Sequence, residues 1–212
     1  MQDNLMTVAV LGASGGVGRQ VVHGLLQAGQ NVRALVRRQE QADALEALGA
    51  VTVVGDLTGD WDSVLSGADA VVWAAGAGTS GRFEQIDGQA LQDVTDRLAA
   101  GGPRRLVVVS SMGVDRPEQM PPFLNEVLKV KAVSDAHVQA SRLDYTVVRP
   151  GGLSNDSGSG QVSVGMPVQG GMIPREDVAA VVVACLKDDR TIGRTFEVVA
   201  GPTPVGEAIS TL

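Results

Sequence analysis

The sequence has little of several residue types, and each shortage excludes a class of protein. Only one of its 212 residues is cysteine, which excludes an internal disulfide. This residue, Cys185, lies in the apolar run 178–186, where we expect a buried small hydrophobe rather than a nucleophile. The two histidines, His23 and His137, fall on predicted helices, and no His, Cys and carboxylate residues have metal-ligand spacing. We therefore predict no metal site.

Long apolar runs and excess positive charge are also missing. No stretch approaches the roughly 18 apolar residues of a membrane-spanning helix, and no basic segment precedes the first predicted strand. The net charge of −7 argues against binding to a nucleic-acid backbone. We therefore expect a cytoplasmic protein, a monomer or small homo-oligomer, whose partner is a small-molecule acceptor rather than a membrane or a nucleic acid.

Aromatic residues make up only 3% of the chain, so Val, Ala and Leu must build the core. Short apolar runs alternate with helical patterns along the whole sequence. This alternation predicts an α/β fold with a doubly wound parallel sheet, the Rossmann arrangement, as a single domain over residues 1–212. Ligands of such sheets bind beyond the carboxyl ends of the strands. The predicted strand ends are Gly12, Arg37, Asp56, Ala75, Ser110 and Pro150.

Periodicity also predicts the later elements. Residues 83–100 and 173–186 each predict one helix, and residues 195–199 predict the last strand. Between them, residues 151–172 are rich in glycine and serine, which is typical of a lid or binding loop, with a small hairpin at 161–168.

Three loops should form the substrate surface, at residues 76–82, 112–122 and 151–172. In the third loop only Asp156 is charged, which favours a broad apolar acceptor over a charged sugar nucleotide.

A strand, a glycine-rich turn and a helix follow one another at residues 7–28. This context is typical of dinucleotide binding, although the glycine spacing is G-x-x-G-x-x-G rather than the usual G-x-G-x-x-G. Gly12 should permit a tight turn, Gly15 should let the backbone approach a pyrophosphate, and Gly18 should let the helix pack on the strand. The alternative is a glycine turn without a ligand. The predicted pyrophosphate segment, at the positive end of the helix, is Gly12, Ala13, Ser14, Gly15, Gly16, Val17 and Gly18.

The residues about 20 positions after the glycines indicate which dinucleotide is bound. An NAD site has an Asp or Glu there, whereas this chain has Arg37 and Arg38 and no carboxylate before Glu40. A guanidinium can bind a 2′-phosphate with two hydrogen bonds. We therefore predict NADP(H), with NAD(H) as the alternative if both arginines only solvate a strand end. Asp56 and Leu57 would lie by the adenine, unless they only form a turn.

Five segments occur in an order that one family shares. They are Gly-Ala-Ser-Gly-Gly-Val-Gly at 12–18, Gly-Asp-Leu-Thr at 55–58, Val-Val-Val-Ser-Ser-Met-Gly at 107–113, Asp-Tyr-Thr-Val-Val-Arg-Pro-Gly-Gly at 144–152 and Pro-Arg-Glu-Asp-Val-Ala at 174–179. With them, nearly the whole chain resembles an atypical short-chain dehydrogenase/reductase of the small NAD(P)H-binding group. That group includes flavin/biliverdin-type reductases, quinone reductases and cofactor-sensing regulators.

The resemblance implies roles for individual residues. The glycine segment would hold the pyrophosphate, Arg37 the 2′-phosphate, and Asp56 with Leu57 the adenine. Ser110 and Ser111 would lie near the nicotinamide. The adenosine ribose would lie along Ala74, Ala75 and Gly76, and the nicotinamide amide under Pro150, Gly151, Gly152 and Leu153.

The dehydrogenases of this family use a Tyr-x-x-x-Lys pair, of which only the lysine is present. Lys131 matches it, but Val127 stands at the tyrosine position. The family lysine binds the nicotinamide ribose, and the tyrosine protonates the carbonyl oxygen being reduced. The chain's only tyrosine, Tyr145, has Arg149 four residues later on a predicted strand, too far away to act as a helical pair would. The family's proton donor is therefore absent.

This absence shapes the functional prediction. Reduction of an ordinary ketone needs a protein acid positioned beside the carbonyl oxygen. A flavin, quinone or conjugated tetrapyrrole can instead take its proton from water when it is reduced. We therefore predict an NADPH-dependent oxidoreductase that acts on a delocalised acceptor, with Lys131 as a ribose ligand and Ser111 as a hydrogen-bond donor. Lys131 could instead be a solvated helix lysine, and Ser110 and Ser111 could only end a strand. The alternative functions are a non-catalytic NADP(H)-binding regulator and a sugar-nucleotide epimerase, which would need the missing tyrosine.

Overall fold

The strands of the protein form a central sheet and a small separate ribbon. The computed structural model describes residues 5–212. The strands are β1 (Thr7–Leu11), β2 (Asn31–Val36), β3 (Val51–Val54), β4 (Ala70–Trp73), β5 (Arg105–Val109), β6 (Asp144–Pro150), β7 (Gly152–Ser154), β8 (Gln161–Gly165), β9 (Met172–Pro174), β10 (Arg194–Ala200) and β11 (Thr203–Pro204).

Seven strands are parallel, in the order β3, β2, β1, β4, β5, β6, β10. At the β10 edge, β8 and then β11 add antiparallel strands, while β7 and β9 pair with each other. The strand order reverses between β1 and β4, which is where ligands bind in doubly wound sheets. The predicted single α/β domain with a doubly wound sheet is confirmed.

Helices cover both faces of the sheet. They are α1 (Gly16–Gln27), α2 (Gln39–Glu46), α3 (Leu91–Ala99), α4 (Asn125–Ala140), α5 (Arg175–Lys187) and α6 (Val205–Ser210), and a π-helical segment, Glu84–Ala90, leads into α3. Side chains of β1 alternate between the faces. Val8 and Val10 pack with α1, α2, α5 and α6, whereas Ala9 and Leu11 pack with α3 and α4. Within residues 5–212, none of these helices has the length and apolar character needed to cross a bilayer.

Trp73, Cys185 and His137 have structural surroundings. Trp73 is fully buried at the end of β4 and packs in the core. Cys185 is fully buried in α5, and burial raises the pKa of its thiol to about 12, so the thiol stays neutral and unreactive. His23 is exposed on α1, and His137 of α4 bonds Asp96 of α3 at 2.7 Å.

Two predicted helices are wrong in part. Residues 83–100 do not form one α-helix, because the segment before α3 winds with the wider π-helical turn. Residues 173–186 do not form one helix either, since Ile173 lies in β9. Pro174 explains this boundary, because a proline disfavours helical geometry in the residue before it and suits the start of a helix.

The glycine- and serine-rich stretch 151–172 is more regular than predicted. The hairpin expected at 161–168 is wrong, because β8 pairs with β10 and β11 rather than folding back on itself. The strand expected at 195–199 is β10, but β11 and α6 follow it. Pairing with a distant strand leaves no periodic signal inside a segment, so the pattern could not reveal it.

The turn after β1 depends on glycine at position 12. We expect Gly12→Ala to destabilise the protein by about 3 kcal/mol or more, because its φ of +86° is strained for alanine and a Cβ would lie 2.5 Å from the backbone nitrogen of Ala75. Urea unfolding would measure the loss. The control is Gly206→Ala in α6, where a Cβ meets no atom within 4 Å, and this variant should match or exceed the wild type. Equal effects of the two substitutions would contradict this account.

Candidate functional site

The glycine turn lies at the carboxyl edge of the sheet, where β1 and β4 end side by side. The N–H of Ala74 donates to the carbonyl of Leu11 at 2.8 Å, and Gly12 rests on the backbone of Ala75. A Cβ on Gly18 would lie 2.1 Å from the Gly12 carbonyl oxygen. Gly18 therefore lets α1 pack closely on the turn that ends β1.

The N-terminus of α1 suits a phosphate group. Gly15 is the N-cap, the first turn has no acidic residue, and no side chain in the described part of the chain caps the helix. A Cβ on Gly15 would meet only the Gly12 carbonyl oxygen inside 3.5 Å, so the space above the turn is open. Ala13 and Val17 of the predicted segment are buried in the core and can offer only backbone groups. The geometry fits the diphosphate of a dinucleotide.

Two arginines follow β2 with their side chains exposed. Within residues 5–212, neither Arg37 nor Arg38 has a side-chain hydrogen bond or an ion pair. Hydrogen bonds from Thr58 hold the pKa of the nearby Asp56 carboxyl below its ordinary value, and the charges of Arg82 and Arg37 add to this effect. The Arg37 guanidinium is thus close to the predicted adenosine end and available to an anion.

Asp56 forms the turn that the sequence left open as an alternative. Its Oδ1 accepts from the N–H of Thr58 at 2.8 Å and from the Thr58 hydroxyl at 2.6 Å. Leu57 is half-buried against the core and borders a cavity of about 340 Å³ that Thr58, Arg82 and Gln85 also line. Both bonds use Oδ1, and Oδ2 of Asp56 has no hydrogen-bond partner among residues 5–212, so a role beside the adenine stays a prediction.

Ser110 belongs to a buried polar network at the end of β5. Its hydroxyl donates to Oδ2 of Asp135 at 2.9 Å, and Arg149 donates to the same oxygen through Nε at 2.9 Å. Burial raises the pKa of the Asp135 carboxyl, although Arg149 and Ser110 oppose the rise. The Asp135 side chain is fully covered, so any ligand would contact this network through Ser110 rather than through the carboxyl.

Lys131 is held by a second buried carboxylate. Its Nζ lies 2.7 Å from Oδ1 of Asp87, whose Oδ2 accepts from the N–H of Ala77 at 2.9 Å. The lysine side chain is only 14% exposed, so the alternative of a solvated helix lysine is wrong. An ammonium group has three donors, and this contact leaves others for a ribose hydroxyl. Ser111 is half-buried, and among residues 5–212 its hydroxyl bonds only the Met112 carbonyl, at a long 3.3 Å.

Tyr145 lies far from this group. It is the second residue of β6 and pairs in register with Leu106, the second residue of β5. Ser110 follows the other end of β5, so the tyrosine is at the amino edge of the sheet. Val127, one helical turn before Lys131, is half-buried. Within residues 5–212 no three His, Cys, Asp or Glu side chains could share a metal ion.

Glu197 of β10 connects two of the predicted substrate loops. It is fully buried and pairs with Arg116 at 2.7 Å. It also accepts from the backbone N–H of Gly113 at 3.2 Å and from that of Val168 at 3.0 Å. Burial alone would raise the pKa of this carboxyl, but the hydrogen bonds from Arg116 and the two N–H groups outweigh burial and lower it. The loops at 112–122 and 151–172 are therefore bonded to the same buried carboxylate.

The segment after β6 begins the longer of these loops. Pro150 is buried, and the N–H of Gly151 donates to the Val198 carbonyl at 2.9 Å. The N–H of Gly152 donates to the Gly171 carbonyl at 2.9 Å. These bonds fix the segment that was predicted to cover the nicotinamide amide, in which Leu153 packs against the core.

The carboxylates that organise this edge were not among the residues predicted from the sequence. Asp87, Asp135 and Glu197 are all buried, and each is paired with a basic side chain. A signal was available for Glu197, since it interrupts the apolar run of β10. Asp135 follows Lys131 by one helical turn, a spacing that places both on one face of α4.

Comparison with known proteins agrees with this geometry. Residues 12–189 match the model of a family described as NAD(P)H-binding. An uncharacterized sugar epimerase of Bacillus subtilis (strain 168) is 34% identical over 98% of this chain and 100% of its own length. A solved structure from Bacillus halodurans, named as a candidate NAD-dependent epimerase/dehydratase, is 36% identical with a TM-score of 0.93, covering 98% of this chain and 100% of that chain.

Reductases are also among the similar proteins. Sanguinarine reductase of Eschscholzia californica is 30% identical over 59% of this chain and 49% of its own length. The anaerobilin reductase of Escherichia coli O157:H7 has a TM-score of 0.80 at 22% identity, covers 93% of this chain and 100% of that chain, and so shares the fold. The resemblance to the atypical short-chain dehydrogenase/reductases is confirmed.

The contacts of Glu197 predict a pH-dependent contribution to stability. Glu197→Gln should lower the free energy of unfolding by about 3 kcal/mol at neutral pH, because it leaves the Arg116 charge without its buried partner. The folded-state pKa lies below the ordinary value of 4.5, so this stabilisation is present above pH 4.5 and is lost as the pH falls through the lowered pKa.

Urea unfolding of both proteins across the acidic range would measure the difference. The exposed Glu207→Gln in α6 is the matched control and should change stability little at any pH. A wild-type advantage over Glu197→Gln that did not shrink on acidification would disprove the assignment.

Proposed function

Because the chain belongs to this NAD(P)H-binding family, we propose that it is an NADPH-dependent oxidoreductase that acts on a flat, delocalised acceptor such as a flavin or a quinone. One observation carries the proposal. Val127 stands where the family's dehydrogenases have their acid, and Tyr145 lies at the opposite edge of the sheet. The nearby Asp135 is covered by Ser110 and Arg149. The site therefore offers no exposed protein acid at the tyrosine position.

A delocalised acceptor suits such a site. The cofactor supplies hydride when bound, and an acceptor that spreads the incoming charge over many atoms can take its proton from water. The protein then needs only to position the two partners. Lys131, held by Asp87, would donate to the nicotinamide ribose, and the Ser111 hydroxyl would donate to the acceptor.

The choice of NADPH over NADH rests on Arg37 and Arg38. Both side chains are exposed directly after β2. The charge of Arg37 helps to lower the pKa of Asp56, which lies at the predicted adenosine end. The first carboxylate after them is Glu40, in the first turn of α2. A 2′-phosphate would therefore meet guanidinium groups rather than the carboxylate typical of NAD sites.

Exchanging the charge at position 37 tests this preference. Arg37→Asp should weaken NADPH binding by a factor of about 10 to 100, because the guanidinium bonds are replaced by repulsion. NADH, which has no 2′-phosphate, should lose no more than about threefold. Calorimetric titration with both cofactors measures this ratio, and Arg142→Asp, an exposed change before β6, is the control. Equal losses for NADPH and NADH would remove the reason for preferring NADP(H).

A second candidate function comes from the two Bacillus relatives, which are named as epimerases. A sugar-nucleotide epimerase of this family would use the tyrosine that is replaced here by Val127. Its substrate would also be strongly anionic, whereas the loop at 151–172 carries one charged residue, Asp156. The reductase function therefore fits the site better.

Turnover measurements separate these functions. Purified protein would be given NADPH with free flavins, quinones and biliverdin-like pigments, and the loss of dihydronicotinamide absorbance would be followed. We expect oxidation with at least one delocalised acceptor and none with simple ketones. Nucleotide sugars, tested in parallel for epimerised products, should be unchanged. Tight NADPH binding without any turnover would instead favour a non-catalytic regulator, and sugar epimerisation would overturn the proposal.

A further inference from the structure

Arg175, the first residue of α5, lies across the N-terminus of α1. A Cβ built on Gly16 would be 2.7 Å from both Cδ and Nε of the arginine. Glycine at position 16 therefore leaves room for the Arg175 side chain. This contact joins the glycine segment to the Pro-Arg-Glu-Asp-Val-Ala segment, to which no role was assigned from the sequence.

The residues that begin α5 also hold a nearby stretch of chain, residues 154–160, which we name the strap. Nη1 of Arg175 donates to Oδ1 of Asn155 at 2.7 Å. Glu176 accepts from the N–H of Gly158 at 2.8 Å. Asp177, which is buried, accepts from the N–H of Ser159 at 3.0 Å and from that of Gly160 at 2.8 Å. Three consecutive side chains thus fix the strap opposite the glycine turn.

Between the strap and the glycine turn is a cavity of about 480 Å³. Its walls include Ser14, Gly15 and Gly16 on one side and Asn155 and Arg175 on the other. The uncapped N–H groups of α1 therefore face the same space as the guanidinium. This combination of helix N-terminus and arginine is well suited to a phosphate group.

The charges around the cavity favour Arg175 as the contact. Two carboxylates, Asp156 and Glu176, and a second arginine, Arg19, also border it. Glu176 is occupied with the strap backbone, and Arg19 is exposed on α1. Arg175 is half-buried, and a guanidinium has five N–H donors, of which Nη1 serves Asn155.

We infer that Arg175 is a ligand of the cofactor's diphosphate and that the strap forms the second wall of the diphosphate site. This inference rests on the proposed dinucleotide binding and adds a residue to it. The diphosphate lies between the α1 N-terminus and the Arg175 guanidinium. Arg37, which follows β2, serves the 2′-phosphate instead. The two arginines therefore act on different parts of one ligand.

Removing the guanidinium should weaken every ligand that contains a diphosphate. Arg175→Ala should raise the Kd of NADPH and that of NADH by a similar factor, about 10 to 100, because each loses the same charged hydrogen bonds. Adenosine 2′-monophosphate, which has no diphosphate, should bind within about twofold of wild type. Arg37→Asp should instead weaken NADPH and adenosine 2′-monophosphate and leave the Kd of NADH within about threefold of wild type. Calorimetric titration of the three ligands measures this, with Arg142→Ala as the control.

A second variant distinguishes a ligand contact from an anchor for the strap. Asn155→Ala removes the partner of Arg175 but keeps its guanidinium, so cofactor affinity should fall much less than in Arg175→Ala. Equal losses in the two variants would overturn the inference, as would an equal loss of adenosine 2′-monophosphate in Arg175→Ala.

The outcomes also separate this inference from the proposed function. If the wild type binds neither dinucleotide, dinucleotide binding itself is disproved. If the wild type binds both and Arg175→Ala leaves both Kd values unchanged, only the role of Arg175 is disproved.

Discussion

The site depends on one close backbone contact, where the turn at Gly12 rests on Ala75 at the end of β4. This contact brings together the two strands between which the sheet reverses its order. Because Gly18 packs onto the Gly12 carbonyl, the same contact also sets where α1 begins. The position of the open N–H groups of α1, and of the cavity that Arg175 borders, is therefore set by two glycines, Gly12 and Gly18, where no side chain would fit.

Buried ion pairs provide the remaining precision at this edge. Asp87 holds Lys131, Asp135 joins Ser110 to Arg149, and Glu197 pairs with Arg116 and joins two loops. A buried charge pair contributes little net stability, but removing one partner is costly. These pairs therefore keep side chains in place rather than adding much to the stability of the fold. The fold itself depends on the apolar residues of the parallel strands.

The sequence was informative wherever a signal is local. Alternating apolar runs predicted the parallel sheet, and the glycine spacing predicted the turn that ends β1. Contacts between distant segments left no such signal, which is why β8 was assigned to a hairpin. The same reason applies to Arg175, whose relation to Gly16 spans most of the chain. Lys131 was found through its motif, but its partner Asp87 lies on a π-helical segment that no pattern indicated.

The position of Glu197 has a consequence for how the two predicted substrate loops can vary. The loops at 112–122 and 151–172 are far apart in sequence, yet Gly113 and Val168 donate to the same carboxylate. A substitution that moves one loop shifts the Glu197 carboxylate, to which the other loop is also bonded. Variation in the two loops is therefore not independent, and under the proposed function a change of acceptor would require compatible substitutions in both. Substitutions in the two loops would therefore be selected together.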